Sequence, residues 1–289
     1  MANFHIIFSR RFLIVFSLFT SLLSGCSGLD HNNNPMPVSF SLDYSIDIIT
    51  KTPINNVDDL EPIQILRADG FADFTTHTAP DLTGTVNSSG IVTPSINQFY
   101  KTDGTESYFV SFYPEAHTIS SGVANFRITG QEDVCGSPIK NGSMYNNNTI
   151  AFAFQHLLSQ IHFKVVAENA AAVAGWGTLT YVTVNSPTSL DLNLSVPTDP
   201  LSANSIPMNA NLPTSIGGSA SQTLTTTSAS AGTVMIPVGN YSPLQIKVKT
   251  SLISEKTVST NLWYLGKGKL YTLRLTFDDN LTTINVIKE

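Results

Sequence analysis

The sequence predicts an all-β protein behind a short apolar leader, and three observations carry that prediction. Residues 38–48 alternate apolar and polar side chains without an error. Short runs of the same period recur to the end of the chain, divided by clusters of Gly, Pro, Asn and Asp. No long stretch of helical period follows the first 26 residues. Composition agrees: charged residues are only 12% of the chain while Ser, Thr and Asn are abundant, so the surface is polar through hydroxyls and amides, as in extracellular β-rich proteins. A length of 289 residues has room for two cores. The net charge of −6 leaves no basic footprint, so nucleic acid is not an expected partner.

The leader places Arg10 and Arg11 before an apolar run from Phe12 to Leu23. That run is shorter than the roughly 20 residues a bilayer span needs, so residues 1–25 read as a signal peptide. Its end, Leu23-Ser24-Gly25-Cys26, resembles the lipobox of bacterial lipoproteins. The resemblance implies cleavage between Gly25 and Cys26 and a diacylglycerol thioether, with an added palmitate-type amide chain, on Cys26. At about 0.8 kcal/mol per buried CH₂, such chains hold a protein firmly to a membrane. Residues 26–37 have no periodicity and read as a flexible, lipidated tether. Cys135 is the one other cysteine, so a lipidated Cys26 leaves no intramolecular disulfide. No basic neighbour in "QEDVCGSP" activates Cys135, which reads as a buried structural thiol.

The strands follow in order. In "VSFSLDYSIDII" the residues Val38, Phe40, Leu42, Tyr44, Ile46 and Ile48 share one face. "PIQILRA", "SYFVSFYP" and "NFRITG" come next. In "AFAFQHLLSQIHFKVV", Ile150, Phe152 and Phe154 have one parity and Ile161, Phe163 and Val165 the other, so "HLLSQ" is expected to shift register as a bulge or a single helical turn. "ENAAAVAGW" favours helix through its alanines but is too short to stand alone; one turn or a linker is expected there. Later strands are read in "GTLTYVTVN", "SLDLNLSV", "TVMIPVG", "PLQIKVKT" and "KLYTLRLTF", with "NANLPTSIGGSASQTLTTTSASAG" as a low-complexity surface connection.

A search for chemistry finds little. His156 and His162 lie in an apolar stretch, but His5, His31, His77 and His117 offer no ligand spacing, so both are read as structural and no metal site is expected. Asp58, Asp59 and Glu61, and likewise Asp278 and Asp279, lack the spaced pattern of a calcium loop and read as solvated turns. Trp176 and Trp263 could stack on sugars, although tryptophan in a strand pattern is more often core. No nucleophile elbow, phosphate loop, HExxH helix or CxxC pair occurs, so no enzyme activity, catalytic residue or cofactor is expected.

"SYFVSFYPEA", "ITGQEDVCGSP", "AFAFQHLLSQIHFKV" and "GKLYTLRLTFDDNLTTINV", in that order, resemble the landmarks of the fimbrillin family, the fimbrial subunits and fimbrillin-like surface proteins of Bacteroidales. The matching positions are Phe112, Tyr113 and Pro114, then Gln131 and Asp133, then Phe154, His156, Leu157 and Ser159. The resemblance implies two consecutive transthyretin-like β-sandwich domains, assigned to residues 38–168 and 169–289. It further implies a structural or adhesive fimbrial subunit, or a fimbria-associated lipoprotein, at the outer membrane surface. Its partners would be other fimbrial subunits, joined by strand exchange, membrane lipid through Cys26, and host or bacterial surface ligands. In polymerising members a trypsin-like protease removes the first strand and the vacated groove accepts a strand from the next subunit. Here Lys51 and Arg67 are the candidate cut sites, and the C-terminal "TTINVIKE" is the candidate donor. The alternative reading is a monomeric surface lipoprotein that binds carbohydrate or captures nutrients.

Overall fold

Alternation decides the first strand: Val38, Phe40 and Leu42 are buried while Ser39 and Asp43 face outward. The computed structural model describes residues 35–43, 60, 62–195, 203–213, 222–281 and 283–289, which belong to one compact unit. Among them are 22 strands and a single helix.

A nine-stranded sheet runs in the order β10 (Ile150–Ala153), β1 (Phe40–Asp43), β4 (Ile91–Pro94), β3 (Leu82–Val86), β2 (Ile63–Asp69), β5 (Ser107–Tyr113), β8 (Cys135–Gly136) and β11 (Gln155–His156). The ninth strand, β9 (Lys140–Gly142), pairs with β5. β1 and β10 run parallel and the other pairs are antiparallel.

A seven-stranded sheet has β19 (Lys256–Ser259), β18 (Gln245–Thr250), β13 (Thr178–Asn193), β7 (Val123–Arg127) and β6 (Thr118–Ser120) in order. On it, β14 (Ala203–Pro213) and β15 (Gln222–Thr223) pair with β13. A four-stranded sheet holds β16 (Ala229–Pro237), β12 (Leu158–Ala167), β21 (Leu270–Phe277) and β22 (Ile284–Lys288), and β17 (Gly239–Asn240) forms a ribbon with β20 (Tyr264–Leu265).

The apolar runs of β2 and β5 are explained by burial on both faces. Ile63, Ile65 and Phe109 belong to a smaller hydrophobic cluster with Phe40 and Phe152. Leu66, Val110 and Phe112, on the opposite face, join a larger cluster that extends through Phe163, Trp176, Val184 and Phe277.

Three expectations are redrawn. The parity change after His156 is neither a bulge nor a helical turn: the chain leaves the nine-stranded sheet after β11 and enters the four-stranded sheet at Leu158, with Leu157 to Ile161 all buried in passage. "NAAAVAGW" forms α1 (Ala170–Trp176), whose first turn is capped by Asn169 Oδ1 accepting from the Ala172 amide at 3.0 Å. Packing supplies what so short a helix lacks alone: Trp176 is fully buried, stacks edge-on against Phe277 and donates from Nε1 to the Asp278 carbonyl at 2.6 Å. The division at 168/169 also does not coincide with a sheet boundary. β7 and β12 precede it in the chain yet pair with strands that follow it, β7 with β13 and β12 with β16 and β21, and Phe126, Phe163 and Val165 share one hydrophobic cluster with residues of those strands.

Candidate assembly site and a buried side-chain cluster

The N-terminal segment is built into the nine-stranded sheet from both edges. β1 pairs in parallel with β10, Phe40 opposite Ile150 and Asp43 opposite Ala153, and antiparallel with β4, Phe40 opposite Val92. Backbone bonds continue the seam: Val38 N donates to Gln98 O at 2.8 Å, Tyr100 N to Met36 O at 2.9 Å and Leu42 N to Gly90 O at 2.7 Å. Phe40 lies edge-on to Phe109 and stacked on Phe152, with ring centroids 5.2 and 5.8 Å away. Each of Val38, Phe40 and Leu42 contributes about 1.5–3 kcal/mol by burial. Without β1, the facing edges of β4 and β10 would expose unpaired backbone groups above an apolar floor.

The sequence-predicted processing residues fall differently around this seam. Gly25, Cys26 and Lys51 lie outside the described residues, as do Asp58, Asp59 and Glu61. Arg67 is in β2, between β3 and β5, with Phe109 opposite. Its guanidinium donates to Asp69 Oδ1 at 2.9 Å, Gln98 Oε1 at 3.0 Å and Ser107 Oγ at 3.0 Å, and it sits over the Phe109 ring. In the folded chain Arg67 is therefore an internal anchor, and a protease reaches its peptide bond only if β2 leaves the sheet. The C-terminal β22 is the edge strand of its own sheet, antiparallel to β21, with Ile284 buried and Ile287 half exposed. Glu289 bonds to Lys164 Nζ at 2.7 Å and holds that end down.

His156 and His162 have separate environments. His162, in β12, faces outward and bonds to Ser230 Oγ at 2.9 Å. His156 is buried opposite Cys135 in the β8–β11 pair, and Asp133, two residues before Cys135, reaches the same side. Leu157 N donates to Val134 O at 2.7 Å and fixes the register. His156 Nδ1 is 3.4 Å from Cys135 Sγ and 2.7 Å from Asp133 Oδ2. Although Oδ2 comes so close, neither Asp133 oxygen is in line with a hydrogen-bond donor. Burial pushes the Asp133 carboxyl above the usual range, against the pull of the adjacent ring. Burial first, and the Asp133 charge second, push the Cys135 thiol well up, in keeping with an inert thiol. The sequence pointed to His156 but not to its partners, 21 and 23 residues earlier, because only the strand register brings them together.

The "FDDN" segment is less solvated than expected. Asp278 is buried and accepts from the Thr283 amide at 3.0 Å and from the Thr283 hydroxyl, while Asp279 Oδ2 accepts from Asn169 Nδ2 at 2.9 Å. Trp176 is core, whereas Trp263 and Tyr264 are 60% and 62% exposed.

Solved structures of similar fold come from Bacteroidales adhesion and fimbrial proteins. A candidate cell-adhesion protein of Bacteroides uniformis matches with a TM-score of 0.59 at 14% identity, over 88% of this chain and 97% of that one. One from Bacteroides ovatus gives 0.55 at 13%, over 88% and 95%. A fimbrial protein of Bacteroides vulgatus gives 0.51 at 15%, over 87% and 98%. Among curated sequences none matches the chain. The sequence model of the fimbrillin-like family matches residues 50–288, and the chain belongs to that family. β1 precedes the matched residues. No helix among the described residues is long and apolar enough to cross a membrane.

Proposed function

We propose that this chain is a structural or adhesive subunit of a surface fimbria, exported as a lipoprotein through Cys26 and joined to its neighbours by strand addition. The observation that carries this reading is the seating of β1. A member of the fimbrillin-like family holds its N-terminal strand between β4 and β10, next to a chain segment containing Lys51. Releasing that strand would leave a slot lined by Phe109, Val92, Ile150 and Phe152, which an incoming strand satisfies in both backbone bonds and apolar cover. Of the two candidate cuts, Lys51 suits this step, since Arg67 is tied into β2. The role is non-enzymatic on this reading: the one buried group of thiol, imidazole and carboxylate among the described residues has its thiol and carboxylate on the same ring nitrogen, which prevents relay of a proton through the ring.

N-terminal sequencing of surface material tests the reading. A new terminus at Thr52 is the expected result, and lipidated Cys26 as the sole terminus overturns strand release. The exposed neighbours Trp263 and Tyr264 favour a second reading, in which the folded monomer binds carbohydrate through aromatic stacking. Retention on immobilised glycan by a single-band monomer, lost in Trp263→Ala, would decide for it.

A further inference from the structure

Asp133, Cys135 and His156 have no part in strand addition, and all three are buried. A nucleophilic relay would set carboxylate and thiol against opposite ring nitrogens. Here Sγ and Oδ2 both face Nδ1, at 3.4 and 2.7 Å. Three donor atoms of three kinds thus converge on one point, all within 4.8 Å of one another. The second observation is the carboxylate itself: the Asp133 side chain has no exposed surface, and neither oxygen completes a hydrogen bond although the His156 ring stands 2.7 Å from Oδ2. A carboxylate removed from water in this way keeps its charge only beside a compensating cation, and a bound metal ion supplies one.

We propose that Asp133, Cys135 and His156 form a site for a divalent transition-metal ion of the zinc class, taken up as the chain folds. Thiolate, imidazole and carboxylate are the ligand types such an ion takes in tetrahedral sites. Its bond lengths, about 2.3 Å to sulfur and about 2.0–2.2 Å to nitrogen and oxygen, separate neighbouring ligand atoms by about 3.3–3.6 Å. Sγ and Nδ1 already stand at that spacing. Oδ2 must withdraw by about 0.6 Å to reach that spacing, a small side-chain adjustment. On binding, the Cys135 thiol and the Asp133–His156 pair each release a proton to solvent. The thiolate and carboxylate then cancel the dication, and a neutral site suits an apolar setting in which Cys135 shares a hydrophobic cluster with Phe154. The ion would cross-link β8 to β11 at the point where the chain leaves one sheet for the next.

The test uses the whole chain with Cys26→Ser, which leaves Cys135 as the sole thiol. The reduced protein is refolded with excess Zn(II) or Co(II), dialysed, and assayed for bound metal. The expected result is one metal per chain, a thiolate-to-Co(II) charge-transfer band, and a thermal midpoint that falls when chelator is present during refolding. Cys135→Ala should lose the band and Asp133→Asn should lose stoichiometric metal, while His162→Gln keeps both. Where a variant does not fold, the parent Co(II) spectrum still decides. Absence of the band and of stoichiometric metal in the parent protein, or metal fully retained in folded Cys135→Ala, overturns the proposal.

Discussion

Asp69 shows how one carboxylate can join two strands to a loop. Burial works against its charged form. The hydrogen bonds from Ser107 Oγ and Arg67 Nε, with the charges of Arg67 and Lys101, outweigh that effect and hold the carboxyl below the usual range. A folded-state value below the unfolded one, about 3.9, adds stability that is present above that pH and lost as pH falls through the folded value. Asp69→Asn should therefore destabilise the protein by on the order of 1 kcal/mol at pH 7, a modest figure because the side chain is partly exposed. Urea midpoints of variant and parent should converge at acid pH; a gap that persists there would contradict the assignment. Trp176 makes a larger contribution. Trp176→Ala should cost about 3–5 kcal/mol through its cavity. Trp176→Phe should cost about 1–3 kcal/mol, chiefly by leaving the Asp278 carbonyl without its donor. Denaturant titration separates the two.

At the scale of elements, the seat of β1 depends on a glycine in the β3–β4 turn. Gly90 has φ +76°, its carbonyl accepts from Leu42 N, and a Cβ built there would stand 2.6 Å from the Leu42 carbonyl oxygen. Gly90→Ala should strain the turn and loosen β1 together. Hydrogen exchange at the Leu42 amide should quicken while amides of β12 keep their protection; unchanged exchange at Leu42 would show that the seam does not need this turn. β1 was legible in sequence because alternation reports a half-buried strand directly. The crossover between β11 and β12 was not, because a parity change looks the same whether the strand bulges or changes sheet. α1 was legible only as a turn or a linker, because the buried Trp176 that stabilises it acts through Phe277 and the Asp278 carbonyl, far along the chain. β14, and the buried Leu224 shortly after it, lie in a Ser-, Thr- and Asn-rich stretch whose composition hides strand pattern. The Asp133–Cys135–His156 cluster was half legible: a histidine in an apolar run is visible, but a search for further histidines could not find an aspartate and a cysteine across a strand pair.

For the whole molecule, the proposed strand addition predicts a monomer-to-polymer switch at the seam. With β1 in place the slot is filled, so the purified full chain should remain monomeric. Cleavage after Lys51 should yield species that form a ladder on a denaturing gel when unheated and collapse to one band on boiling. Phe152→Asp, which puts a charge against the floor of the slot, should abolish the ladder after the same cleavage. A ladder that forms equally well without cleavage would argue for another interface. Cys26→Ala should leave folding unchanged and eliminate fatty-acid label; label retained in that variant would refute the lipid anchor.

The parallel pairing of β1 with β10 also sets an order. Phe40 meets Val92 on one side and Ile150 on the other, so its two neighbours lie about 50 and about 110 residues further along the chain. Both contacts are long-range and slow to form, so β1 is among the later strands to be enclosed, and until then that end of the chain is free to be claimed by something else.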